Sequence, residues 1–242
     1  MTVSTGTPTG TGTPTGTGTP TGTGIQLVCL DMAGTTVRDD GAVEQAFVSA
    51  LDALEIPDER RPAMVDYVRE TMGTSKIEVF RALFGDEELA RDANRAFEAA
   101  YEAGLDRVQP IPGAAETIEE LRARGIRVAL TTGFSARTRD LLLGALGWTD
   151  VADLVVSPSD AGRGRPFPDM VLTAVLRLRV DAVQAVAVAG DTAADVTTGL
   201  RAGASVVAGV LSGADDRSRL LGAGATHVID SVVTLPRLLG AA

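Results

Sequence analysis

Four short polar segments carry the residue types from which a phosphoryl-transfer site can be built. Asp31 ends the apolar run Ile25 to Leu30, Thr131-Thr132-Gly133 ends a second such run, Arg165 stands in Gly164-Arg165-Pro166-Phe167-Pro168, and two carboxylates stand in Gly190-Asp191-Thr192-Ala193-Ala194-Asp195. Carboxylates from separate strand ends can hold Mg2+, a hydroxyl with backbone amides can hold phosphate oxygens, and an arginine can neutralise the remaining charge. A fifth segment, Gly73-Thr74-Ser75-Lys76-Ile77-Glu78, holds the one lysine among 22 basic residues. The other basic residues are arginines, whose guanidinium stays protonated and cannot form an imine. Lys76 is therefore the one side chain able to form a Schiff base with a carbonyl.

The neighbours of Lys76 offer a way to keep its amine neutral. Ser75 with Glu78 three residues later is a capping-box pattern, which predicts Lys76 in the first turn of a helix. The positive end of the helix dipole and partial burial both disfavour an ammonium there. Gly73 would let the backbone approach another element closely. The plainer reading, a solvated lysine on a helix surface, stays open at this point.

Those residues need a scaffold that brings them together. From about Val43 to Arg107 apolar residues recur three and four apart, as in Ala46-Phe47-Ala50-Leu51-Leu54 and Ala93-Phe97-Tyr101, which predicts helices throughout. From Pro112 the pattern alternates: helix Pro112 to Arg124, strand Ile126 to Thr131, helix Ser135 to Leu146, strand Leu154 to Ser157, helix Pro168 to Leu178. Strand Ala185 to Ala189, helix Ala193 to Ala202 and strand Ser205 to Val210 complete it. Alternation of this kind predicts a parallel α/β sheet, with the all-helical block inserted after the first strand, above the strand ends where such sheets bind ligands. Residues 7 to 24 repeat Thr-Pro-Thr-Gly-Thr-Gly three times and contain nothing apolar to bury. A disordered tail over residues 1–24 is expected.

Composition excludes several functions. A net charge of −10 disfavours a nucleic-acid surface. A single histidine, His227, and a single cysteine, Cys29, leave too little for a histidine triad or a zinc cluster. No apolar span is long enough to cross a membrane and no signal-peptide pattern is readable, so a cytoplasmic protein is expected.

The four polar segments, in this order, resemble the haloacid dehalogenase superfamily over nearly all of residues 25 to 240. The match consists of Leu30-Asp31-Met32-Ala33-Gly34-Thr35-Thr36-Val37, Leu130-Thr131-Thr132-Gly133, Gly164-Arg165-Pro166-Phe167-Pro168 and Ala189-Gly190-Asp191-Thr192-Ala193-Ala194-Asp195. The resemblance implies a three-layer Rossmannoid core formed by 25–42 and 108–242, with a helical cap over 43–107. It further implies that Asp31 is a nucleophile forming an aspartyl-phosphate, that Thr132 binds phosphate, and that Asp31, Asp191 and the carbonyl of Ala33 hold Mg2+ with support from Asp195.

Two departures from the general pattern point to one branch. Ala33 stands where most members carry an acid, and Arg165 stands where most carry a lysine. With a lysine in the cap, these features resemble the phosphonoacetaldehyde hydrolases, in which the cap lysine forms an imine so that carbon–phosphorus cleavage releases an enamine. Such a leaving group needs an amine and no acid at position 33. By this resemblance Ala33, Gly34, Met72, Gly73, Thr132, Gly133, Phe134 and Arg165 bind the substrate, Asp31 and Lys76 act on it, and the apolar first cap helix, Ala46 to Leu54, pairs two subunits. Val79, a position near Gly41, and Phe134 replace a histidine, a cysteine and a tyrosine of the branch, which leaves the exact phosphonate open. A phosphomonoesterase, for example of phosphoglycolate, and a non-catalytic binding protein of the same fold are the rival readings.

Overall fold

The computed structural model describes residues 24–240. The predicted threonine-rich tail lies outside the described residues except for Gly24. Strand β1 (Leu27–Asp31) is followed only by helices until the second strand, the first four being α1 (Ala42–Ala53), α2 (Arg61–Glu70), α3 (Lys76–Phe84) and α4 (Glu87–Glu102). The chain then alternates through α5 (Ala114–Ala123), β2 (Arg127–Thr131), α6 (Ala136–Leu146), β3 (Leu154–Val156), α7 (Pro158–Ala161), α8 (Asp169–Arg177) and β4 (Val186–Gly190). It ends with α9 (Ala193–Ala202), β5 (Val206–Val210), α10 (Arg217–Gly222), β6 (His227–Ile229) and α11 (Leu235–Gly240).

All strand pairs are parallel, in the order β3-β2-β1-β4-β5-β6. Parallel strands covered on both faces read as continuous apolar runs, which is why Leu27 to Leu30 and Val186 to Ala189 lack a polar alternation. Alternate residues go to opposite layers. Val28, Leu30, Ala187 and Ala189 pack with Ile118, Leu121 and Leu142 of α5 and α6, while Leu27, Cys29, Val186 and Val188 pack with Met170, Val171 and Ala174 of α8. The result is the expected three-layer α/β core. The strand order reverses between β1 and β4, so connections leave in opposite directions and open a crevice beyond the carboxyl ends of these two strands. Asp31 is the last residue of β1, and Asp191 immediately follows β4.

The helices between β1 and β2 have an aromatic core. Phe47 of α1 lies with its ring centroid 4.8 Å from that of Phe80 on α3 and 4.6 Å from that of Phe97 on α4. Phe134, from the loop after β2, joins the cluster at 4.4 Å from Tyr101 of α4. Tilted ring contacts of this kind add to the large apolar area they bury, so the insertion is anchored to the sheet edge at the place where the site must form. The two linkers run side by side: Arg38 N–H donates to Gln109 O at 2.9 Å and Ile111 N–H donates to Thr36 O at 2.9 Å.

Three local features go beyond the sequence expectation or differ from it. Ser75 does occupy the N-cap of α3, but its side chain makes no capping bond, and Glu78 instead pairs with Arg81 at 2.5 Å. The Ser75 side chain is buried against Gly164, so tertiary packing takes precedence over local capping. β6 and its flanking helices α10 and α11 were not legible, because a three-residue edge strand is too short to show a period. In α1, Phe47, Ala50 and Leu51 turn inward and pack within the insertion itself.

Candidate active site

A small cavity lies where the insertion meets the strand ends. Asp31, Ala33, Thr132, Gly133, Phe134, Arg165 and Asp191 line it from the core, and Met72, Gly73 and Lys76 line it from the insertion. Its free space is about 20 Å3, room for roughly one water molecule.

The closeness of the halves begins at Gly73, whose φ of +87° suits glycine and whose α-carbon lies where any β-carbon would collide with Oγ1 of Thr192. From there the chain enters α3 with Lys76 as its first residue, 8% exposed. The Nζ atom lies 5.9 Å from the ring centroid of Phe47 and 5.7 Å from that of Phe134. Ring faces attract an ammonium weakly, yet burial in this apolar wall, followed by repulsion from Arg165, lowers the lysine to about 8 against the pull of Asp39, Asp31 and Asp191. Such an amine is neutral in a far larger share of molecules near neutral pH than an ordinary lysine.

On the core side Arg165 is 4% exposed and bridges two carboxylates: its Nη1 lies 2.5 Å from Asp31 Oδ1 and also contacts Asp195 Oδ1. Its buried Nε has no acceptor, leaving a donor for an incoming anion. Thr132 Oγ1 accepts from Phe134 N–H at 3.2 Å, which fixes the turn after β2. Asp31, Asp191 and Asp195 are all buried, with one oxygen of each within 4.8 Å of the others. Burial pushes the Asp31 carboxyl up to about 7 despite Arg165, with Asp195 adding repulsion. Burial and then the charges of Asp31 and Asp195 push Asp191 well above the usual carboxylate range.

One arginine does not balance three buried carboxylates. Hard oxygen donors with excess negative charge fit a divalent cation such as Mg2+. The donor capacity is uneven, however. Asp195 spends one oxygen on Arg165 and the other on Thr192, whose N–H and Oγ1–H lie at 3.2 and 2.5 Å, in the capping box that opens α9. Asp31 and Asp191 are thus the direct candidates, with Asp195 holding Arg165 and the loop. The helix N-cap is Thr192 and not Asp191, so the latter is free of capping duty.

Some contributions had no readable signal. Thr35 Oγ1–H donates to Asp191 Oδ1 at 2.9 Å and Ala214 N–H donates to Asp191 Oδ2 at 2.8 Å, fixing the carboxylate from two loops. Gly34, foreseen as a substrate contact, does not line the cavity; its α-carbon lies directly against the Asp191 carboxylate and its O accepts from Ser212. Asp39, Val43 and Thr192 do line it and were not foreseen. Asp39 belongs to no motif, and only the fold brings it there.

Comparison with known proteins identifies the family. A family model described as haloacid dehalogenase-like hydrolase matches residues 25–203, a span that begins at the first strand and includes all four polar segments. A phosphonoacetaldehyde hydrolase of Parabacteroides distasonis is 30% identical, the match covering 86% of this chain and 93% of that protein. One from Pseudomonas fluorescens is 33% identical over 78% of this chain and 74% of its own. The crystal structure of a phosphonoacetaldehyde hydrolase like protein from Oleispira antarctica superposes with a TM-score of 0.76 at 29% identity, covering 89% of this chain and 91% of that one. With its parallel sheet, its helical insertion and Asp31 at the end of β1, the chain belongs to the haloacid dehalogenase-like hydrolases, and within them it resembles the phosphonoacetaldehyde hydrolases.

Proposed function

We propose that this hydrolase cleaves the carbon–phosphorus bond of a small carbonyl phosphonate, phosphonoacetaldehyde or a close analogue, with Mg2+ as cofactor. The observation that carries the reading is that a buried, deprotonatable Lys76 and the carboxylate of Asp31 line one cavity, although they come from separate elements. In this scheme Lys76 condenses with the substrate carbonyl, and the resulting iminium draws electrons from the adjacent carbon. Asp31 then attacks phosphorus, the bonding pair leaves as an enamine whose terminal carbon takes a proton from water to give the iminium, and water later hydrolyses the aspartyl-phosphate and that iminium. Arg165 would hold phosphoryl oxygens through the donor it has to spare, with Thr132 and Gly133 beside it. Mg2+, held by Asp31, Asp191 and the Ala33 carbonyl, would neutralise charge on the phosphoryl group.

Met72, Gly73 and Phe134 would shut water out, and the insertion would open and close as a lid over 43–107. The ester-hydrolysing rival lacks support from position 33, because an alkoxide leaving group wants a proton donor and Ala33 has none. A cytoplasmic setting belongs to the proposal, supported by the free, buried Cys29. Pairing of two copies through α1 also belongs to it, and would use the outer face that carries Val48. The test is direct: incubate the protein and Mg2+ with phosphonoacetaldehyde and with a panel of phosphate esters, and measure phosphate release. Turnover of the phosphonate is expected; rapid turnover of an ester with none of the phosphonate would overturn the reading.

A further inference from the structure

Imine formation at Lys76 needs a group that moves protons, because a carbinolamine hydroxyl departs only once protonated. The usual carriers are elsewhere or unsuited. His227 is exposed on β6, at the edge of the sheet. Cys29 is buried inside the core, its thiol pushed up to about 12 by burial. Burial, then the charges of Asp39 and Asp31, push the Tyr101 phenol up as well.

The titratable groups that line the cavity are Asp31, Asp39, Lys76, Arg165 and Asp191. An arginine does not release its proton. Asp31 and Asp191 belong to the cation cluster. That leaves Asp39, which has no part in the chemistry described so far.

Asp39 is well placed. It sits in the linker between β1 and α1, and its Oδ1 accepts from Val43 N–H at 3.0 Å in the first turn of α1. This bond fixes the carboxylate, while the second oxygen has no hydrogen-bond partner among the described residues. Four charged groups act on Lys76, namely Arg165, Asp39, Asp31 and Asp191, and among the three carboxylates Asp39 exerts the largest pull on its proton. A fixed carboxylate that lines the same cavity as the amine and stands outside the cation cluster meets the requirements of a proton carrier.

We propose that Asp39 is the acid–base residue of imine formation and hydrolysis at Lys76, an assignment that rests on the phosphonatase reading. Asp39 takes one proton from the Lys76 ammonium. The nitrogen lone pair then bonds to the carbonyl carbon while the π pair moves to oxygen, and a second N–H proton passes to that oxygen. Asp39 returns its proton to the hydroxyl, which leaves as water as the nitrogen lone pair forms the C=N bond. The net change is ammonium plus aldehyde to iminium plus water, with Asp39 a carboxylate before and after. Hydrolysis of the product iminium runs the same transfers in reverse.

The test uses phosphonoacetaldehyde, Mg2+ and the full chain, comparing wild type with Asp39→Asn and Asp39→Glu. Asparagine keeps an oxygen for Val43 N–H, so an unchanged melting temperature is expected. Phosphate release by Asp39→Asn should fall about 10²-fold, borohydride trapping of the Lys76 adduct should slow in step, and one limb of the pH–rate profile should disappear. Asp39→Glu should restore part of the rate and that limb. Wild-type trapping speed and an unaltered pH profile in Asp39→Asn would overturn the role of Asp39 while leaving the imine intact. Wild-type turnover with no trappable adduct would instead remove the imine, and the role of Asp39 with it.

Discussion

Gly73 of the insertion rests on Thr192 of the loop after β4 so closely that a β-carbon at position 73 would overlap Oγ1 of Thr192. Closure of the two halves therefore depends on a missing side chain. Gly73→Ala should hold the insertion off the core and displace Lys76, which follows three residues later. A misplacement of about 1 Å can cost about 10²-fold in rate, so kcat/KM for phosphonoacetaldehyde should fall by about that factor. Circular dichroism should be unchanged, because the collision lies between the halves and not within either core.

Lys76→Met should abolish phosphonate turnover yet stabilise the fold. Burial lowers the lysine from 10.5 to about 8, so the folded state binds its proton less readily than the unfolded chain does. The resulting penalty is complete below about pH 8 and disappears as pH rises towards 10.5. Denaturant titrations should show the variant more stable by on the order of 2–3 kcal/mol at pH 7, with the gain fading by pH 10.5. Equal stability at pH 7 would mean that the amine is solvated.

Mg2+ should stabilise the protein in a pH-dependent way. The carboxyl of Asp31 rises to about 7 on folding, chiefly through burial. A raised carboxyl contributes stability that is complete below about pH 4 and is lost as pH rises through 7. The metal-free protein should therefore weaken across that window, and the cation should reverse the loss. At a concentration of about 100 times Kd the gain is about 2.7 kcal/mol, or about 5–10 °C for a chain of this size. Melting curves at pH 5 and pH 8, with Mg2+ or with EDTA, should show a large shift at pH 8 and a small one at pH 5.

The residues that carry this account differ in how readily the sequence exposes them. Asp31, Thr132 and Asp191 stand at the ends of apolar runs, and a parallel sheet gathers strand ends by its topology, so their meeting is predictable, whereas Arg165 reaches them from the loop between α7 and α8. Lys76 stands out by composition, and the Ser75–Glu78 spacing places it in the first turn of α3, as the structure has it, although the capping bond itself is not made. Thr35, Ser212 and Asp39 were opaque for another reason. Their contacts join loops 156 residues apart for Thr35–Asp191 and 178 apart for Ser212–Gly34, and no local period encodes such pairings. The short edge strand β6 was lost for want of length, and the inward turn of α1 because one apolar stripe can serve a core or a partner equally well.

Ala33→Asp probes why position 33 can lack an acid. Ala33 lines the cavity near Asp31, so a carboxylic acid there would stand beside a leaving oxygen. Acid–base assistance is worth about 10²–10⁴ in rate. The variant should gain hydrolysis of small phosphate esters by a measurable part of that range, with little benefit to phosphonate cleavage. An unchanged ester rate would show that the cavity selects against esters by shape.

The central claim is that Lys76 forms a covalent bond to the substrate before the carbon–phosphorus bond breaks. Borohydride added to enzyme, Mg2+ and phosphonoacetaldehyde, followed by peptide mass mapping, tests it most directly. The account predicts irreversible loss of activity and a reduced two-carbon adduct on the peptide that contains Lys76. Full activity after borohydride, with an unmodified Lys76 peptide and continuing phosphate release, would contradict it.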